Sequence, residues 1–487
     1  MTIGSDMSQN TTNFQSPRVA IIGGGVAGAT AAVHLGELSV NVLLLEKGPS
    51  LVNGPPICHL HAGGNLYREI SEQQCIELLR QSVETIRLYP HTLNKRPTVI
   101  AIPDTDSGEP QDIIPRLDTI QACYQQLVDE DPRNQIMGDP KQYYSIYQRE
   151  QLEILANQVQ PKESLTSEEW LIPFAKYADL NSIKYPVVVV QEYGWSVFRL
   201  AASAELALSA MANCQVKTHA TLVSAEYNGY CWQLTYVDID GQHHQVEADY
   251  LINACGYETG KVDDMAHYQR KRMVEFKAAY VTHWPQCQHE WPEVVFHGER
   301  GTPRGMAQLT PYADGVFQLH GMTVDITLFK DGLVTSEDNS SQPVLPKYLQ
   351  RKILEGWQSD ALNERTHKAI RHISQFMPEF ESAQVGGKPL YGAQQIPGYD
   401  ATLRAADVTF EDNNYARMEV VKGSSALEAV RKIVSNWQLV KALSDKSIEE
   451  QHPISMSLTP NDIESRAKRL AQERGYPQAL AKFVGMK

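Results

Sequence analysis

The first patterned stretch of the chain is Arg18-Val-Ala-Ile-Ile22, four apolar residues in a row after an arginine, halted by Gly23-Gly-Gly25. A short β-branched run stopped by glycine predicts a strand entering a tight turn, and the alanine-rich segment Ala29 to Leu38 beyond it predicts a helix. A second apolar run, Val40 to Leu45, ends in Glu46. Residues 18–46 therefore read as one βαβ unit, whose strands must run parallel because a helix carries the chain from one to the other.

The later pattern is more mixed. Asp104-Thr-Asp-Ser-Gly-Glu-Pro110 is a cluster of turn formers, and residues 111–180 read as mostly helical and polar. Sheet character returns at Tyr185 to Val190, a helical pattern spans Val197 to Ala212, and strands are predicted over Val216 to Tyr227, Cys231 to Asp238 and Gln245 to Asn253. Asp240-Gly241 between two alternating runs marks a hairpin. Phe276 to Thr323 alternates again around the turn Ala313-Asp-Gly315, as an antiparallel sheet would, and helices are predicted within Leu345 to Met377. A last strand, Ala416 to Val421, runs into Lys422-Gly423-Ser424-Ser425 and a helix through Trp437, returning the chain to its first sheet. No internal repeat interrupts this order.

The glycine turn carries the first chemistry. Gly23-x-Gly25-x-x-Gly28 lies between a strand and a helix, and Glu46 closes the next strand 18 residues after the last glycine. Glycines there let the backbone approach a pyrophosphate at the positive end of a helix, and the carboxylate can accept both hydroxyls of a ribose. The motif therefore predicts a dinucleotide, FAD or NAD, with Lys47 beside the ribose position. With 487 residues the chain is long enough for two or three domains, and 42% apolar against 21% charged residues is globular composition. A net charge of −14 leaves no basic footprint for nucleic acid. Seven scattered cysteines, without C-x-x-C or a cluster with histidine, argue against a redox disulfide and a bound metal, and for a reducing compartment. The polar first 17 residues lack a signal-peptide core, which places the protein in the cytoplasm or, at most, at the inner face of a membrane.

The strand ending in Asn253-Ala254-Cys255-Gly256 resembles one in the D-amino-acid oxidase and glycine oxidase family of FAD enzymes, where a similar Asn-Ala-x-Gly returns beside the diphosphate. Glu192-Tyr-Gly-Trp195 ahead of a helix, His61-Ala62-Gly63, the strand and turn Leu309 to Gly315, and Lys422 to Ser425 resemble further segments of that family. The resemblance implies FAD as cofactor and Val223 as an adenine contact. It sets His61 and Gly63 on the flavin side and Lys422, Gly423, Ser424 and Ser425 against the flavin pyrimidine. The implied fold is α/β: a Rossmann-type FAD-binding domain of residues 18–103, 183–262 and 385–440, interleaved with an antiparallel-sheet substrate domain of residues 104–182 and 263–384. Residues 1–17 are expected to be disordered, and 441–487 form a helical tail. His61 and the following Asn65-Leu-Tyr-Arg68 are also similar to malate:quinone oxidoreductases.

One departure bears on the substrate. Where family members acting on amino acids often place an arginine, this chain has Tyr312. Arg304, in Gly301-Thr-Pro-Arg-Gly305, is then the expected carboxylate clamp, with an exposed loop arginine as the alternative. Gln308 and Tyr312 can supply neutral hydrogen bonds. His61 is the candidate base, or a residue that only fixes its loop; by likeness to dimethylglycine dehydrogenases, His59 or His61 is also a candidate for covalent attachment. His320 either faces the substrate from the other side or points to solvent.

The expected function is oxidation of a small carboxylate-bearing hydroxy or amino acid by hydride transfer to the flavin, with O2 or a quinone as acceptor. A flavin-binding module without turnover is the alternative. The tail supplies one more alternative: Ile463, Ala467, Leu470 and Ala471 share a helix face, and residues 459–487 carry six basic against three acidic residues. That face either packs on the protein or touches anionic lipid, as a quinone-linked enzyme needs; on the lipid reading, removing 459–487 leaves flavin content intact.

Overall fold

The computed structural model of the protein describes residues 18–54, 70–287, 289–440 and 446–485. The N-terminus expected to be disordered, residues 1–17, lies outside them.

The βαβ unit forms as the pattern predicts. Arg18–Ile22 pairs in parallel with Asn41–Leu45 on one side and with Tyr250–Asn253 on the other. Cys214–Lys217 and Tyr415–Met418 extend the parallel sheet outward, and Val408–Glu411 closes one edge antiparallel. The helix Val26–Glu37 buries Ala29, Ala32, Val33 and Leu35, small and medium side chains that let it lie close on the sheet. Beside this sheet Thr221–Tyr227, Trp232–Val237 and His243–Ala248 form a three-stranded antiparallel meander, its second turn at Asp240-Gly241.

A ten-stranded sheet makes the second layer. Its pairings are antiparallel except that of Glu293–Phe296 with Thr98–Pro103, and its longest strand, Arg272–His283, also carries Leu390–Pro397. The sheet takes Thr98–Pro103, Ile183–Val190 and Leu390–Pro397, so its share of the chain reaches beyond the expected boundaries at 103, 183 and 385. For Thr98–Pro103 and for residues 186–190 the reason is burial on both faces, which gives a near-continuous apolar run that does not reveal which sheet it joins. One face, with Tyr280, Phe296, Leu309 and Leu319, packs on helix Ser359–Ser374. The other, with Ile100, Val188, Ala279 and Val281, packs toward the dinucleotide half.

The tail returns to that half. Thr459 caps helix Pro460–Glu473 by accepting the Asp462 N–H at 3.2 Å, and Ile463, Ala467, Leu470 and Ala471 are at most 1% exposed. They lie in the main core, where the helix packs on Val197–Ser209. The face offered to lipid on one reading is spent on packing, and the membrane contact expected through 459–487 loses its surface. Among the described residues no helix is long and apolar enough to cross a membrane.

Candidate functional site

The three motif glycines serve two different purposes. A Cβ on Gly28 would lie 1.8 Å from the Gly23 carbonyl oxygen, and one on Gly23, whose φ is +95°, would lie 2.6 Å from the Ala254 oxygen. Both must be glycine for the turn to close against the strand end at Ala254. A Cβ on Gly25 would meet nothing within 4 Å, although Gly25 caps the helix start at Val26. Open space over a helix N-terminus, in a turn otherwise closed, is the cradle a diphosphate requires.

Glu46 sits at one end of that cradle. Its Oε2 accepts the Gly24 N–H and its Oε1 the Gly48 N–H, both at 2.6 Å. The backbone thus fixes the carboxylate, and each oxygen keeps a lone pair for a ribose hydroxyl. Lys47 turns away to Glu258, which also holds Lys261 at 2.6 Å. Gly256, with φ +58°, starts the turn that brings Glu258 there. Val223 is 42% exposed on the outer face of the meander, whereas its neighbour Leu222 points into a core.

At the other end, the turn Lys422–Ser425 lies against the first turn of the same helix. A Cβ on Gly423 would sit 2.7 Å from the Trp195 ring and 3.2 Å from Val26 Cγ1. The Ser425 hydroxyl donates to Gln81 at 2.5 Å, and the Ser424 carbonyl accepts from Thr85 Oγ1 at 2.9 Å. Both serines therefore anchor the turn to helix Glu72–Leu88, and Lys422 is half-buried.

The face of the ten-stranded sheet that packs toward the dinucleotide half also carries a polar stripe. Antiparallel partners share a face, so Gln308 beside His320 and Thr310 beside Gln318 line the side that also carries Lys277 and Glu275. Gln308 donates to Glu293, whose carboxylate pairs with Arg96, each 1% exposed. The Tyr312 hydroxyl donates to Gln318 at 3.1 Å. His320 is 7% exposed, so it belongs to this buried stripe and does not point to solvent.

Arg304 is not where the clamp was expected: it is exposed, and its backbone N–H bonds Thr302. The arginine of that loop that reaches the buried stripe is Arg300, through Glu275. Glu275 and Lys277 were missed in sequence because their strand reads as an ordinary buried run, and Arg300 and Gln394 because they join it from a loop and a strand distant in sequence. The signal that existed was the same-face spacing of Glu275 and Lys277. His59, His61 and Gly63, and the malate:quinone likeness carried by residues 61–68, lie outside the described residues.

The family model DAO, FAD dependent oxidoreductase, matches residues 18–400. The chain belongs to this family. It is an FAD-dependent oxidoreductase. Curated protein sequences gave no match. Among solved structures, glycine oxidase from Geobacillus kaustophilus is 11% identical, covering 90% of this chain and 98% of its own, with a TM-score of 0.52. The L-amino acid deaminase from Proteus vulgaris is 12% identical over 92% and 96%, with a TM-score of 0.53. The FAD-complexed glycerol-3-phosphate dehydrogenase from Bacillus halodurans is 12% identical over 95% and 73%, with a TM-score of 0.51. At these identities the likeness is one of fold.

Proposed function

We propose that the protein oxidises a small acid, a hydroxy or amino acid carrying a carboxylate, with bound FAD supplying the hydride acceptor at N5. The observation that supports this reading is the polar stripe of buried Glu275, Gln308, Gln318 and His320 with half-buried Lys277, on the sheet face that packs toward the dinucleotide half. A sheet face buried against a core is apolar unless its polar groups have work to do, because each buried polar atom costs free energy unless it is paired. Glycine oxidase, the amino acid deaminase and glycerol-3-phosphate dehydrogenase are named for substrates that all carry an anionic group.

In this reading Gly25 and Glu46 fix the cofactor, and the Arg96–Glu293 pair holds Gln308 in place. The His320 imidazole is the group among the described residues able to take the proton from the substrate oxygen or nitrogen, and His61 is the second candidate base. Core residues around the stripe exclude water. We take O2 or a soluble carrier as the acceptor, because the tail face that would have met lipid is packed inside the protein.

Anaerobic addition of a panel of hydroxy and amino acids to purified yellow protein tests the reading. One compound is expected to bleach the flavin absorbance. A full complement of FAD that no acid reduces would instead support the flavin-binding module without turnover.

A further inference from the structure

Five residues into the strand Arg272–His283, Lys277 enters the buried stripe together with Glu275, two positions before it on the same face. The Lys277 ammonium lies 2.8 Å from Glu275 Oε2 and donates to Gln394 Oε1 at 3.0 Å. The other Glu275 oxygen accepts from Arg300. One carboxylate is therefore shared between two cations, leaving this group one positive charge in excess. Side-chain exposure rises from 8% at Glu275 through 16% at Lys277 to 38% at Arg300, so the excess charge faces outward along a path from the stripe to the loop 297–306.

The group is tied to the cofactor turn. Gln394 Nε2 donates to the Val421 carbonyl at 2.9 Å, and Val421 directly precedes Lys422. A ligand seated on Lys277 is thus beside the segment that lies on the first turn of the dinucleotide helix. An ammonium has three donors, of which two are placed here, and a guanidinium has five. We propose that Lys277 and Arg300 form the anion-binding site of the substrate, taking a carboxylate or a phosphate monoester, with Glu275 as the internal counter-ion that keeps the site folded when empty. This rests on the reading of the protein as a flavin enzyme for a small acid. Burial pulls the Lys277 pKa down, Glu275 opposes that pull, and Arg404 and Arg300 add to it.

Flavin-loaded protein titrated with acetate, inorganic phosphate and neutral acetamide at fixed ionic strength tests the site, read both by the flavin difference spectrum and by calorimetry. Acetate or phosphate is expected to bind and perturb the flavin while acetamide does not, and the tighter of the two identifies the head group. Lys277→Met and Arg300→Met are each expected to weaken that anion about tenfold or more, the size of a lost charge-assisted hydrogen bond. Glu275→Gln, which removes the counter-ion, is expected to tighten it, an effect in the opposite direction that misfolding would not produce. Wild-type affinity in both cation variants, or binding of acetamide as tight as of acetate, would overturn the site. Protein that carries no flavin would overturn the underlying reading instead, and calorimetry would still decide the site.

Discussion

The strand Arg272–His283 carries two groups of charges, one closed and one partly exposed, and they are built on opposite plans. At its start Arg272 meets Asp263 and Glu419, while Arg417 bonds Asp263 and Glu411, and Arg270 bonds Glu419. Three arginines face three carboxylates, with Arg272, Asp263 and Arg417 at 0% side-chain exposure. A few residues on, among the described residues Glu275 alone serves Lys277 and Arg300. Balanced buried charge joins the strand to Tyr415–Met418 and the segment around Asp263, across the junction of the two sheets. Unbalanced charge at an opening is what a ligand of the opposite sign would complete.

The sharpest way to break this contrast is to unbalance the closed group. Asp263→Ala leaves Arg272 and Arg417 buried without their shared partner, and removing one member of such a group costs about 3–5 kcal/mol. Urea unfolding of the variant is expected to show that loss. A change below about 1 kcal/mol would mean that the closed group is not structural.

The next effect comes from cations satisfied without any carboxylate. Arg474 donates to the carbonyls of Leu51 and Val52 at 2.6 and 2.7 Å and to Ser50 Oγ at 3.0 Å, and the Val52 N–H in turn bonds the Gly24 carbonyl at 2.7 Å. Arg199 is held by backbone carbonyls that include Ala481 and Lys482, and burial lowers its pKa to about 9. The tail therefore braces the glycine turn. Deleting residues 459–487 is expected to abolish FAD retention, against the expectation that it leaves flavin content intact. Arg474→Ala alone is expected to cost about 2 kcal/mol and to release FAD on gel filtration. Full flavin content in the truncated protein would show that the brace is dispensable.

These cases show where the sequence is readable. The glycine turn and Glu46 are legible because strand, turn, helix and strand are contiguous, and the hairpin at Asp240-Gly241 is legible because two residues determine it. The amphipathic tail is legible as a helix, but its pattern says only that one face is apolar, not that Val197–Ser209 covers it. Lys277 is illegible because its partner Gln394 lies 117 residues away and Arg300 belongs to a loop with two arginines. Arg304 and Arg300 are near neighbours in one loop, and the difference between them is made by a distant strand.

A smaller effect tests a buried pair that carries no formal charge. The His452 Nδ1 lies 2.6 Å from the Ile448 carbonyl, so it carries the proton, and its Nε2 then accepts from His34 Nδ1 at 2.8 Å. Burial lowers the pKa of His452 to about 4 and pushes His34 the same way. Because the unfolded chain binds these protons near pH 6.5 and the folded chain does not, stability is fully present above about 6.5 and is lost as pH falls toward 4. From pH 7 to pH 6 the loss from the two groups together is expected to be about 1–2 kcal/mol by chemical unfolding. His452→Gln is expected to flatten that slope; an unchanged slope would assign the acid sensitivity to other groups.

The smallest expected stability effect belongs to Lys277→Met, and its smallness is what separates the two charge groups. Methionine matches the length of the lysine stem and removes the excess charge, leaving Glu275 paired with Arg300 and balanced. Gln394 keeps its bond to the Val421 carbonyl, so the link between the sheet and the cofactor turn survives. Unfolding free energy is therefore expected to shift by less than about 1 kcal/mol in either direction, with FAD retained. Substrate reduction of the flavin should then require a much higher substrate concentration, because an anion clamp binds the ground state and the transition state alike. A loss of several kcal/mol in this variant, as in Asp263→Ala, would place Lys277 in the same structural class as Arg272 and dissolve the contrast.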